Sequence, residues 1–207
     1  QSPDVLSELL LAVTPALTPG ETYTLNIASV NDCSGNDIVP VSIPFLVPEE
    51  PEAGDIIITE IMPDPSPSVG LPEEEYLELY NRSDKNLDLA DWVLQNSSTN
   101  HPLASQILAS GEYIILCDAS VSEAFELFGL TQGIEGFTAL GNSGDDLTLF
   151  LPDGSISDAV SYDDDWYRDE NRDEGGYSLE LINPELPCSG SVNWRASSAE
   201  AGGTPGA

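Results

Sequence analysis

At 207 residues the chain is long enough to bury a sizeable core in one or two domains, and its apolar share of 40% can supply one. Asp and Glu total 37 against 5 Lys and Arg, for a formal charge of −32, which excludes phosphate backbones and anionic lipid surfaces because both recruit Lys and Arg. No apolar run approaches the roughly 18 residues of a membrane span, and no charged n-region followed by an apolar stretch opens the chain.

In chain order, residues 1–47 carry three strand patterns. They are Leu9–Val13, then Thr22–Ala28 with Tyr23, Leu25 and Ile27 alternating against Thr24 and Asn26, then Val39–Val47. Pro19-Gly20 marks a tight turn between the first two. Pro48 to Ala53 (PEEPEA) holds no apolar anchor and predicts a stiff linker. The expected division is therefore 1–48, a linker at 49–53, and a second unit at 54–207. Asp55–Ile61 is a β-branched run suited to a pleated surface, and Tyr76, Leu77, Leu79 and Tyr80 form a second. Between them Pro63, Pro65, Pro67, Pro72 and Gly70 forbid a helix. Further on, Asn86–Leu94 presents Leu87, Leu89 and Trp92 to a core, Gln95–Asn100 is a polar loop, and Tyr113–Leu116 is a short buried strand. Apolar residues at 121, 124, 125 and 128 predict a short helix with Ser120 or Ser122 as its cap, lidding one end of the fold. Pro152-Asp153-Gly154 joins the strands Asp146–Leu151 and Ser155–Tyr162 as a hairpin. Tyr177–Ile182 is the last predicted strand, and an irregular tail follows.

The series ITEIM…EEEYLELYN, LDLADWVLQ, ILASGEYIIL and GNSGDDLTLFLPDGSISDAVSY resembles the lamin-tail domain, most closely its bacterial secreted variant, over about three quarters of the chain. The resemblance implies an all-β immunoglobulin-like sandwich with a short helix. Upstream, LTPGETYTLNIASVNDCSGN resembles the C-terminal half of a bacterial Ig-like domain, so the chain reads as a piece of something longer. Three cysteines with no CxxC pair argue against structural zinc. Because Cys117 and Cys188 both fall in the lamin-tail-like part, the resemblance pairs them as a disulfide and leaves Cys33 without a partner.

Catalytic chemistry finds little support. The single histidine, His101, sits in a predicted loop with neither a GxSxG elbow nor a cysteine cluster beside it. Paired carboxylates arise by chance among 37 acids, and Glu75 and Glu78, three apart in a strand, point to opposite faces. The strongest constellation is the acidic segment Asp163–Glu174. Asp169, Asn171 and Asp173 are spaced i, i+2, i+4, and Glu180 follows eleven residues after Asp169, the ligand spacing of an EF-hand calcium loop. The turn glycine, Gly175, comes one place late, and Glu180 lies in a predicted strand. Arg168 and Arg172 offer a metal-free account in which they pair with the acids of the loop. Two Asn-x-Ser sequons, at Asn81 and Asn96, are incidental in a bacterial source.

The expected role is a non-catalytic structural or interaction module of a larger secreted or cell-surface bacterial protein. It needs no cofactor, and its partners are another protein or neighbouring domains of its own chain, with no nucleic acid and no membrane insertion. The alternative is a calcium-dependent adhesion or carbohydrate-binding module built on the 163–180 segment.

Overall fold

The structure is a computed structural model and describes residues 11–28, 30–31, 34–37, 39–97, 99–137 and 139–207. The chain separates into two compact units, divided between Glu49 and Glu50. In the first, β1 (Thr22–Ile27) and β2 (Val41–Leu46) pair antiparallel, with the Tyr23 and Phe45 rings stacked at 6.0 Å. Residues 11–13 of the expected first strand are not in a strand, and its residues 9 and 10 lie outside the described residues.

The second unit is a sandwich. Its larger sheet runs in the order β10-β9-β4-β3-β13-β14, from β3 (Ile56–Met62), β4 (Tyr76–Asn81), β9 (Tyr113–Asp118), β10 (Thr131–Ile134), β13 (Leu179–Leu181) and β14 (Trp194–Ala196). The smaller sheet runs β12-β11-β6-β7, from β6 (Val93–Gln95), β7 (Asn100–Pro102), β11 (Gly144–Phe150) and β12 (Ile156–Asp163). A two-stranded ribbon of β5 (Leu87–Asp88) and β8 (Ile107–Leu108) completes it. The β11–β12 hairpin turns at Pro152–Gly154 as its sequence predicts, with Gly154 in the left-handed region at φ 83°.

Period-two alternation sorts the larger sheet into two faces. Ile56, Ile58, Ile61, Leu77, Leu79, Ile114, Leu116 and Leu179 face the smaller sheet and form the main core with Trp92, Leu147, Leu149 and Trp194. Tyr76, Met62, Ile115 and Cys117 face the other way and form a second cluster with Leu71 and Phe125. Burial of both faces explains why every residue of β3 is buried and why it reads as a continuous apolar run.

The outer face is covered in part by the one α-helix among the described residues, α1 (Ser122–Phe125), whose Phe125 ring lies 5.2 Å from that of Tyr76. The helix is shorter than its sequence suggests, and neither expected serine caps it. Ser120 instead bonds Asp118, and the Ser122 hydroxyl donates to the Ala119 carbonyl. It therefore covers a sheet face rather than an end of the sandwich. The C-terminal segment, residues 201–207, covers a further part of that face: the Thr204 and Gly206 N–H groups donate to Glu60 and Glu78.

His101 is not in a loop. It sits in β7 opposite Leu94, 2% exposed, with Phe137 at 5.4 Å between ring centres, because Asn96 and Thr99 close a tight turn that starts β7 early. The tail is also more ordered than its composition implies. Residues Pro187–Asn193 form 3-10 turns that lead into β14, which pairs with β13.

Candidate functional site

The strongest concentration of chemistry is a row of glutamates on the outer face of the larger sheet. The register sets Glu78 of β4 opposite Glu60 of β3, and Glu60 opposite Glu180 of β13. A bulge puts Glu60 there. The β3–β4 register shifts between Ile58 and Glu60, and the extra residue turns both Thr59 and Glu60 outward while Ile58 and Ile61 stay in the core. Glu60 and Glu78 are each 1% exposed.

Glu60 Oε1 accepts three donors: the Tyr76 hydroxyl at 2.6 Å, the Ser178 hydroxyl at 2.5 Å and the Thr204 N–H at 2.9 Å. Glu78 accepts the Thr59 hydroxyl at 2.7 Å on one oxygen and the Gly206 N–H at 2.6 Å on the other. Glu180 accepts the Thr204 hydroxyl at 3.0 Å. Glu60 Oε2 is buried and has no hydrogen-bond partner among the described residues. The three carboxylates line a cavity of about 200 Å³ together with Thr59, Tyr113 and Thr204.

Burial raises the Glu60 carboxyl above the usual carboxylate range, and the donors from Ser178, Tyr76 and Thr204 offset only part of that. Burial, followed by the charge of Glu60, pushes Glu78 up to about 8. The Tyr76 hydroxyl is raised well above its ordinary value by the same burial and by Glu60. Acceptors dominate this site: the Ser178 and Thr59 hydroxyls that donate to its carboxylates are themselves buried, and His101 lies in the other sheet.

The segment singled out in the sequence is arranged differently from an EF-hand loop. Asp169 Oδ1 accepts the backbone and side-chain amides of Asn171 at 3.0 and 3.2 Å, and its other oxygen meets Arg172 Nε at 3.4 Å, the metal-free pairing that Arg172 offers. These bonds hold Asp169 below the ordinary carboxylate range. Asn171 and Asp173 are exposed, whereas Glu180 belongs to the glutamate row. The acids whose oxygens do gather, all within 4.8 Å of one another, are Asp163, Asp164 and Asp165, each exposed around a 3-10 turn.

The expected Cys117–Cys188 disulfide is not formed. Cys117 is a buried free thiol packed on the outer face near Tyr76 and Phe125, while Cys188 is an exposed free thiol in the turn before β14, beside Ile156 and Trp194. Cys33 lies outside the described residues.

Glu60 escapes sequence reasoning because it sits inside a strong β-branched run and its direction depends on the bulge. The one local signal is that a glutamate interrupts two runs, at Glu60 and Glu78, that pair with each other.

No curated protein matches this chain. The family model for the lamin tail domain matches residues 49–164, more than half of it. That segment contains Glu60 and Glu78 but ends before Glu180 and the covering C-terminal residues. With its bulged central sheet, its second sheet and this match, the chain belongs to the lamin tail domain family and has that family's immunoglobulin-like fold.

Proposed function

We propose that this chain is a non-catalytic structural and interaction module of a larger secreted or cell-surface bacterial protein, holding neighbouring domains or a protein partner in place. The observation that carries the reading is the filling of the sandwich. The space between the sheets is occupied by Trp92, Trp194 and aliphatic side chains, and the two most buried acids are engaged by the chain's own backbone N–H groups. Hydrolytic chemistry needs a reacting group beside an accessible substrate seat, and these acids are instead used as acceptors. The free edges at β12, β14 and β7 offer strand-pairing surfaces of the kind by which Ig-like modules contact partners.

Two measurements test this. The purified chain is assayed on ester, phosphoester, glycoside and peptide substrates beside its E60Q/E78Q variant. Turnover that the variant abolishes overturns the non-catalytic reading. Protease shaving of intact source cells is expected to release peptides of this chain, and their appearance only after lysis overturns the surface assignment.

A further inference from the structure

We propose that the cavity lined by Glu60 is a seat for a divalent cation that prefers oxygen ligands, of the Ca²⁺ class, with Glu60 Oε2 and the carboxylate of Glu180 as its protein ligands and Glu78 beside them. The inference stands apart from the proposed role in positioning domains and holds whether or not that role is correct.

Three observations carry it. First, Glu78, Glu60 and Glu180 stand directly opposite one another on three adjacent strands, an arrangement that is unfavourable when the carboxylates are ionised and that a bound cation relieves. The chain has little to offer. Of its five Lys and Arg, Arg82 pairs with Glu185, Lys85 with Glu52 and Asp55, and Arg172 with Asp169, while Arg168 donates to the Ser191 carbonyl. Arg195 follows Glu180 in the same cross-strand row but is exposed, and no ion pair among the described residues joins it to the acids.

Second, Glu60 is bonded lopsidedly. Oε1 takes three donors and Oε2 takes none, although Oε2 is buried and an unpaired buried carboxylate oxygen is costly. The three donors hold Oε1, and Glu60 is one of the residues that line the cavity. A proton on that oxygen would itself be a donor in need of an acceptor, whereas a cation uses the oxygen as it stands.

Third, the lining supplies oxygen chemistry. Glu60, Glu78, Glu180, Thr59 and Thr204 line about 200 Å³ together with Tyr113, Leu181, Pro184 and Ala207, with no imidazole or thiolate among them. Such a set selects hard ions, and the unequal, water-completed coordination it allows suits Ca²⁺ better than the strict octahedron of Mg²⁺. The exposed group Asp163–Asp165 lacks the buried, unpartnered oxygen that marks this seat.

Calorimetric titration of the metal-stripped full chain with Ca²⁺, alongside melting curves in Ca²⁺ and in NaCl of matched ionic strength, tests the proposal. One site and a Ca²⁺-specific rise in melting temperature are expected. E60Q should lose affinity by about tenfold or more, because a charged ligand is removed. E180Q, at a half-buried position that tolerates the change, should weaken binding in the same direction and keeps the test open if E60Q does not fold. The variant D163N/D164N/D165N should bind as the wild type does. No heat or shift at millimolar Ca²⁺, binding unchanged in both glutamine variants, or binding lost only in the Asp triple variant would each overturn it.

Discussion

Gly203 is the position at which coverage of the glutamate row can be broken with a single carbon. A Cβ there would fall against the Tyr76 hydroxyl, 2.5 Å from Glu60 Oε1 and 2.9 Å from Leu71 Cδ1. None of these neighbours can step aside easily. Tyr76 is enclosed against Phe125, Leu71 belongs to the same cluster, and Glu60 is tied by three donors. The segment must therefore lift, taking with it the N–H donors of Thr204 and Gly206. A hydrogen bond to a charged group contributes about 1.5–3 kcal/mol, so losing the two donors should cost about 3–6 kcal/mol in G203A. A fall of that size is a large part of a domain's typical ~5–15 kcal/mol. Urea unfolding with a common m value reads it directly. The control is G54A, where the glycine has φ 84° and open space around it, so only about 1 kcal/mol of backbone strain is expected. If G203A loses no more than G54A, the C-terminal segment is not held as described, and the burial of Glu60 and Glu78 has another cause.

Other consequences follow from the same packing. W92A, which empties a site that is 0% exposed and removes the ring N–H bond to the Asp88 carbonyl, should cost about 3–5 kcal/mol in the same assay. Burial lowers the pKa of His101, so the folded chain prefers it neutral. The stabilisation is present above the unfolded value of 6.5 and is lost as pH falls through the lower folded value. Because Glu60 and Glu78 are raised and act in the opposite direction, the readout is the difference in melting temperature between wild type and H101Q, which should change sign or shrink from pH 7.5 to pH 5. A thiol reagent on the native chain should label Cys188 and spare Cys117, whose thiol burial pushes up to about 11. Peptide mapping before and after denaturation checks this.

Much of the architecture is legible in the chain because the strands that build the main core are long enough to show their period. β3, β4, β9 and the β11–β12 hairpin each carry six or more residues of alternating or continuous apolar character, and Pro152–Gly154 marks its own turn. β5, β7, β8 and β14 have only two or three residues, too few for any period to register, so His101 is mistaken for a loop residue. The glutamate row is hidden for a different reason. Strict alternation from Ile58 would send Glu60 into the apolar core, where a carboxylate is untenable, and local sequence does not announce the bulge that resolves the conflict. Nor does it announce the cover, since the Thr204 donor lies 144 residues from its acceptor. A glutamate at Glu60 is tolerable only if the register slips by one residue and the far end of the chain returns with its N–H groups. The acid, the bulge and the glycine at 203 are therefore one device, and substituting any one of them should unsettle the other two.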